Sequence, residues 1–287
     1  MNAGELRSLL ERHGLRPRRD LGQNFLVSDA LAERLAERAG VGPGDVVIEI
    51  GAGLGVLTRA LAARAARVVA LEIDAGLVRA LRAEGRLPQH VELRHADALR
   101  LDLAALAREA GRGAPVRVVA NLPYATASLL LRALLDARAE LVDWSVLVQR
   151  EVAARVAARP GSRDYGSLTV LHALAVRVER TGQLGPRCFH PAPKVHSTAL
   201  RITPRPDSPL RRDARGDELE RVERAARAAF GTRRKLLANA LRAHPDLLAG
   251  RDAAALLARA GLDAGARAEE IAPEGFLALA RVLEEDA

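Results

Sequence analysis

Cysteine, methionine and tryptophan occur once each in 287 residues, tyrosine twice and phenylalanine four times. The lone cysteine, Cys188, excludes an internal disulfide, and seven histidines without a CxxC pair or an HExxH arrangement make no structural zinc site, so no metal is expected. No run approaches the ~18 uncharged apolar residues of a transmembrane helix. Glu5, Arg7, Glu11 and Arg12 stand where a secretory leader would need an apolar stretch. A cytoplasmic protein with no membrane partner is the expectation. Lysine is nearly missing too: of 44 basic residues only Lys194 and Lys235 are lysines. So broad a bias fits a GC-rich genome better than guanidinium chemistry at every position, and the arginine count alone says little about partners.

What is present is the composition of a globular protein, with 49% hydrophobic and 28% charged residues and a mean hydropathy of -0.03. The net charge of +8 is unevenly spread: residues 144–200 hold eight basic and three acidic residues and carry most of it. Such a chain is predisposed to polyanions through counterion release. The core must come from Leu, Val and Ala, so aromatics in loop-like sequence invite a functional reading. Phe25, Tyr124 and Phe189 lie among Gly, Pro and Asn; Trp144, Tyr165, Phe230 and Phe276 do not.

Periodicity sets the organisation. After a first amphipathic helix and a helix over 30–39, short apolar runs at 46–50, 68–71, 91–94, 116–120 and 146–148 alternate with helical patterns at 54–64, 77–83 and 128–137. That alternation predicts an α/β fold with a doubly wound, mostly parallel sheet of the Rossmann-like kind. Strand-like segments over 169–178 and 195–202 suggest an antiparallel pair at one edge. The proline-rich, charged stretch 203–217 is taken as a linker, dividing the chain into a main domain at 1–204 and a small α-helical domain at 205–287. In the latter, helices are expected over 218–230, 232–243, 252–260 and 273–284.

The chemistry-bearing motifs fall at strand ends. VVIEIGAGLG runs a buried strand into Gly51, Gly53 and Gly55, a turn that lets backbone approach a ligand. Val56 stands where a dinucleotide fingerprint needs its last glycine, which disfavours a nicotinamide cofactor but keeps a nucleotide site. Glu72 ends the second strand, where a carboxylate accepts from both ribose hydroxyls; Asp74 is the alternative ribose ligand or a helix N-cap. Asp97 follows the third strand, placed to accept from an adenine amine. The fourth strand ends in Asn121, Leu122, Pro123 and Tyr124. Pro123 holds Leu122 extended, so the Asn121 side chain and the Leu122 carbonyl can turn together into a pocket, two acceptors beside an aromatic face. That set suits an adenine N6 amine giving up both hydrogens while its ring stacks on Tyr124.

With RRDLGQNFL (18–26), QREVA (149–153), FHPAPKV (189–195) and FGTRRKLLAN (230–239) added to EIGAGLG, HADA and NLPY, the chain resembles the ribosomal RNA small-subunit adenine dimethyltransferase family over nearly its whole length. The resemblance implies a class I S-adenosylmethionine-dependent enzyme that converts two adjacent adenines near the 3' end of 16S rRNA to N6,N6-dimethyladenine in a small-subunit assembly intermediate. It implies contacts to S-adenosylmethionine from Asn24, Leu26, Gly51, Glu72, Asp97 and Asn121, with Gln23 and Gly53 alongside. Asn121 and Leu122 would receive N6, and Tyr124 and Phe189 would sandwich the target base. Arg16, Arg18 and Arg19 ahead of GQNFL, and Arg233, Arg234 and Lys235 after Phe230, are the candidate RNA contacts, each with solvated surface charge as the plain alternative. A monomer is expected. Ala52 stands where the family commonly has proline, and Ala125 where a polar residue often follows NLPY. A large-subunit rRNA adenine methyltransferase of the macrolide-resistance type, a non-catalytic assembly factor, and a DNA or small-molecule adenine methyltransferase stay open as alternatives.

Overall fold

The computed structural model describes residues 2–213, 216–232 and 235–285. Seven strands make one sheet: β1 (Val46–Ile50), β2 (Arg67–Glu72), β3 (Val91–His95), β4 (Val116–Asn121), β5 (Asp143–Gln149), β6 (Val176–Leu184) and β7 (Ser197–Pro204). Their order is β3-β2-β1-β4-β5-β7-β6. The first five pair in parallel, and β7 runs antiparallel to β5. A mostly parallel, doubly wound α/β sheet is thus what the apolar runs specify. β1 is buried along its whole length because helices cover both faces, which is why it shows no alternation.

The chain reverses its direction of travel across the sheet between β1 and β4, so a crevice opens beyond their carboxyl ends. At the amino ends, Asp143 of β5 is 1% exposed and accepts from two guanidiniums, Arg117 of β4 at 2.5 Å and Arg201 of β7 at 2.6 Å. Arg117 also donates to Asp45 at 2.8 Å, just ahead of β1. A buried charge must be paired, and this one pins four strands where no chemistry is needed. On the crevice side, the helix Ala3–Arg12 starts from an Asn2–Glu5 capping box. Its Leu6, Leu9 and Leu10 bury against Phe25, Leu54 and Leu77.

By packing, the chain divides into two units, residues 1–153 with 178–204, and residues 154–177 with 205–287. The sequence reading keeps the whole of 1–204 together. The difference lies in residues 154–177, within which Ser167–Ala175 is a helix rather than the first part of an edge strand. It packs against the helices Glu218–Phe230 and Pro273–Glu285 of the second unit. Six of its nine residues are buried, so it lacks the polar face that marks a helix by its period, and its Thr169 and Val170 favour a strand reading.

Within the second unit, Phe230 stacks on Phe276 at 5.5 Å and meets Tyr165 edge-on at 5.7 Å. The Tyr165 hydroxyl donates to the Ile271 carbonyl at 2.8 Å. Tyr165 and Phe276 are core, and Phe230 is half-buried against both. The stretch taken as a linker is tied down after Pro204: Arg205 N donates to Ala175 O at 3.0 Å and Ser208 Oγ to Leu174 O at 2.8 Å. The helix expected from 232 begins only at Leu237, as Leu237–Arg242.

Candidate active site

The glycines after β1 set the floor of the crevice. Gly51, Gly53 and Gly55 have φ of 84°, 57° and 73°, a left-handed backbone that costs other residues strain. Gly51 N and Ala52 N both donate to Leu71 O, at 2.8 and 3.0 Å, so the turn folds back against the end of β2. A Cβ at Gly53 would lie 3.0 Å from the Phe25 ring. The absence of a side chain there is what lets the N-terminal segment close over the turn.

Glu72 ends β2 at 5% exposure, with Oε2 accepting the Gly53 N–H at 2.7 Å and Oε1 the Asp74 N–H at 2.9 Å. Burial raises its pKa above the ordinary carboxylate value, and the backbone donors at Asp74 and Gly53 offset part of that. Each oxygen keeps further acceptor capacity. Asp74 resolves as the N-cap of Ala75–Glu84, its Oδ1 accepting from Gly76 N at 2.8 Å, while Oδ2 takes the Gln23 amide at 3.0 Å. Of the two readings kept for Asp74, the cap is the one the structure displays.

Asp97 caps the short 3-10 turn Ala98–Arg100, accepting from Leu99 N at 3.0 Å, and it also lines the crevice. Oδ1 serves the turn and Oδ2 lies 3.5 Å from the exposed Arg100 guanidinium, so the carboxylate is shared between cap, ion pair and cleft. The Asn121 amide nitrogen donates to the Asn24 carbonyl at 2.8 Å, leaving the side-chain oxygen as its acceptor for the cleft. Leu122 N donates to Leu147 O at 3.1 Å, which extends the β4–β5 pairing past the strand end. The Tyr124 hydroxyl lies 2.8 Å from Ser197 Oγ. Its pKa is raised by burial, so the phenol stays neutral at physiological pH.

Together these walls line a cleft that is open to solvent. Gln23, Asn24, Leu26, Gly51, Gly53, Glu72, Asp97, Asn121, Leu122 and Tyr124 all line it. Phe189 does not. It is 3% exposed and lies in the core cluster with Leu26, paired with it across the two-residue bridge Phe25–Leu26 and Phe189–His190. A sandwich of Tyr124 and Phe189 is absent from this arrangement, because the Phe189 ring is buried among Leu26 and the apolar residues of the core, a favourable burial for a phenylalanine. Arg16, Arg18 and Arg19 are exposed beside the lining loop, but Arg18 is held by Asp20 at 2.5 Å. Lys235 is exposed, and Arg233 and Arg234 lie outside the described residues.

Three cleft features escape sequence reasoning. Glu49 lines the cleft at 0% exposure, and neither of its oxygens has a hydrogen-bond partner. Burial pushes its carboxyl up to about 8; the Thr58 hydroxyl beside it offsets part of this without making a full hydrogen bond. Its position two residues ahead of Gly51 was a usable signal, since an acidic residue inside an otherwise apolar strand is anomalous. Ile73 and Leu99 line the cleft although 42% and 38% exposed, apolar surfaces beside the two strand-end carboxylates. Gly22, at φ 63°, packs so near that a Cβ would lie 3.2 Å from Tyr124 N, a contact no local pattern announces.

The donor and acceptor set fits a nucleoside carrying a ribose and an amino-purine. One carboxylate stands at each of two neighbouring strand ends, apolar surface lies between, and a glycine turn opens toward the middle.

The chain is similar to known proteins. Residues 14–285 match the family model described as ribosomal RNA adenine dimethylase. Ribosomal RNA small subunit methyltransferase A of Rhodospirillum rubrum is 44% identical over 285 residues, covering 97% of this chain and 92% of that protein. The protein of the same name from Anaeromyxobacter dehalogenans is 44% identical over 283 residues, covering 96% and 97%. Among solved structures, the 23S rRNA methyltransferase ErmE superposes with a TM-score of 0.61 at 29% identity, covering 91% of this chain and all of that one. A dimethyladenosine transferase from Plasmodium falciparum gives 0.70 at 21% identity over 89% and 95%, a likeness of fold.

Proposed function

The chain belongs to the ribosomal RNA adenine dimethylase family, and from that membership we propose how its cleft dimethylates adenines of the small-subunit rRNA with S-adenosylmethionine as methyl donor. The convergence of Glu72, Asp97, Asn121 and Tyr124 on one cleft carries the reading. Had these side chains diverged, the strand-end motifs would be unrelated caps.

Glu72 would accept the ribose hydroxyls with the lone pairs that Gly53 and Asp74 leave free, and Asp97 would accept from the adenine amine of the donor. Ile73 and Leu99 would give that adenine apolar surface, and the turn at Gly51 and Gly53 would admit the rest of the molecule without a side chain in the way. Gln23 acts indirectly, through Asp74. When bound, S-adenosylmethionine supplies a methyl group already activated by its sulfonium, so the protein's task is alignment.

A target adenine amine is a weak nucleophile because its lone pair is delocalised into the ring. Asn121 Oδ1 and the Leu122 carbonyl accept its two N–H groups and favour the pyramidal nitrogen that attacks carbon. The neutral Tyr124 phenol takes no proton; its ring stacks the base, which must be unstacked from the RNA to enter. Phe189 lies in the core beside Leu26.

The substrate is 16S rRNA in an assembling small subunit, at two adjacent adenines near the 3' end. We read the chain as acting as a monomer. Mass mapping of rRNA after reaction with small-subunit particles and, separately, naked RNA tests this. Two neighbouring dimethyladenines on 16S rRNA, favoured in particles, are expected; a mark on 23S rRNA instead would transfer the enzyme to the large subunit.

A further inference from the structure

Tyr124 is gripped at both ends. Its backbone lies under Gly22, where even a Cβ would come within 3.2 Å of the amide nitrogen. Its hydroxyl meets Ser197 Oγ at 2.8 Å, in a hydrogen bond in which either group can donate. Ser197 is 0% exposed and opens β7, opposite Gln149 of β5. The step before it is fixed as well, since Arg150 N donates to His196 O at 3.0 Å. The hydroxyl that receives Tyr124 therefore sits on the rigid antiparallel pair of the sheet, not on a loop.

Stacking does not require this contact. A phenylalanine ring offers a base the same face, and the phenol oxygen adds only a polar handle. Without an anchor, the ring of a residue in a strand-to-helix loop turns about two torsions. With its oxygen held by a buried group and its backbone packed under Gly22, it keeps one tilt. Burial keeps the phenol protonated, so the contact persists through the working pH range.

We propose that Ser197 is a positioning residue for methyl transfer, holding the Tyr124 ring at the tilt that brings the N6 of a stacked adenine to Asn121 and Leu122. This rests on Tyr124 being the aromatic that receives the base. The second methylation depends on the tether more than the first. A monomethylated amine has one N–H left for two acceptors, so ring orientation supplies alignment that hydrogen bonding no longer does.

The test compares Ser197→Ala, Tyr124→Phe, their double variant, Ser197→Thr and Tyr124→Ala, with small-subunit particles as substrate. Loss of one orienting hydrogen bond lowers kcat about tenfold for Ser197→Ala and for Tyr124→Phe alike. KM for particles and the affinity for S-adenosylmethionine stay within about twofold of wild type. N6-monomethyladenine accumulates, the double variant is no worse than either single one, and Ser197→Thr recovers the dimethyl product by restoring a hydroxyl.

Thermal melting separates misfolding from misalignment in Ser197→Ala, and Tyr124→Phe changes no packing atom but the oxygen. Wild-type rates and product ratios in Tyr124→Phe, or losses that simply add in the double variant, overturn the proposal. If Tyr124→Ala also leaves the rate intact, the reading of Tyr124 as the stacking residue falls first. If Tyr124→Ala is inactive while Tyr124→Phe is normal, the tether alone is refuted.

Discussion

The side-chain amide of Asn121 donates to the backbone carbonyl of Asn24 over 2.8 Å, joining the end of β4 to the N-terminal loop across 97 residues of sequence. This bond decides which end of the amide is committed. The nitrogen is held by the loop, so the oxygen is the atom left to accept from a base, and the same loop that covers the cleft sets the acceptor's orientation.

Asn121→Ala is accordingly expected to lower the single-turnover rate of methyl transfer by about a hundredfold, the scale of losing a preorganised polar contact to a reacting group. Calorimetric affinity for S-adenosylmethionine should change far less. Equal losses in rate and affinity would make Asn121 a cofactor residue and nothing more.

Gly22 takes φ 63° and lies against the Tyr124 and Ala125 backbone nitrogens. Gly22→Ala meets both the left-handed backbone penalty of about 1–2 kcal/mol and the close contact, so the loop moves away from Tyr124. Reduced kcat with a melting temperature lowered by only a few degrees is the expected result. A variant as active as wild type would mean that the loop's seat on Tyr124 does not matter to the reaction.

Glu49 makes stability depend on pH. Its carboxyl titrates near about 8 in the fold against 4.5 for an unperturbed group, so between those values the folded state holds a proton that the unfolded state has lost. Stability from this residue is full at low pH and is lost as pH rises through that window, by at most about 1.4 kcal/mol per pH unit. Glu49→Gln removes the titration. Denaturant unfolding at about pH 5 and about pH 8 should show the variant gaining on wild type at the higher pH; a constant difference between them would place the titration elsewhere.

Among the N-terminal arginines, Arg18 is already paired with Asp20, whereas no ion pair involves Arg16 or Arg19 among the described residues. If the stretch touches phosphates, Arg16→Gln and Arg19→Gln should each flatten the log–log salt dependence of rRNA binding by about 0.7–0.9. Arg18→Gln should flatten it less. Filter binding across a salt series measures the slopes, and unchanged slopes would leave these residues as solvated surface.

Strand ends carried nearly all that was legible. Glycines at 51, 53 and 55, carboxylates at 72 and 97 and NLPY at 121–124 follow successive apolar runs, and a parallel sheet brings the carboxyl ends of β1 to β4 to one edge by construction. Their convergence needs only the alternation of strand and helix, which is local, and the right-handed crossover. The N-terminal GQNF segment was legible only as a motif, because nothing in its spacing says that it folds over the turn at Gly53.

Local chemistry thus determined the strands and helices, their alternation and the polar groups at the strand ends, since each depends on neighbours within a few residues. Tertiary packing decided the rest. It put Phe189 into the core beside Leu26, spent the Tyr124 hydroxyl on Ser197, gave Ser167–Ala175 to the second unit as a helix, and buried Glu49 without a partner. Each of those outcomes is a competition for burial or for a hydrogen bond between groups far apart in sequence, and periodicity carries no information about who wins it.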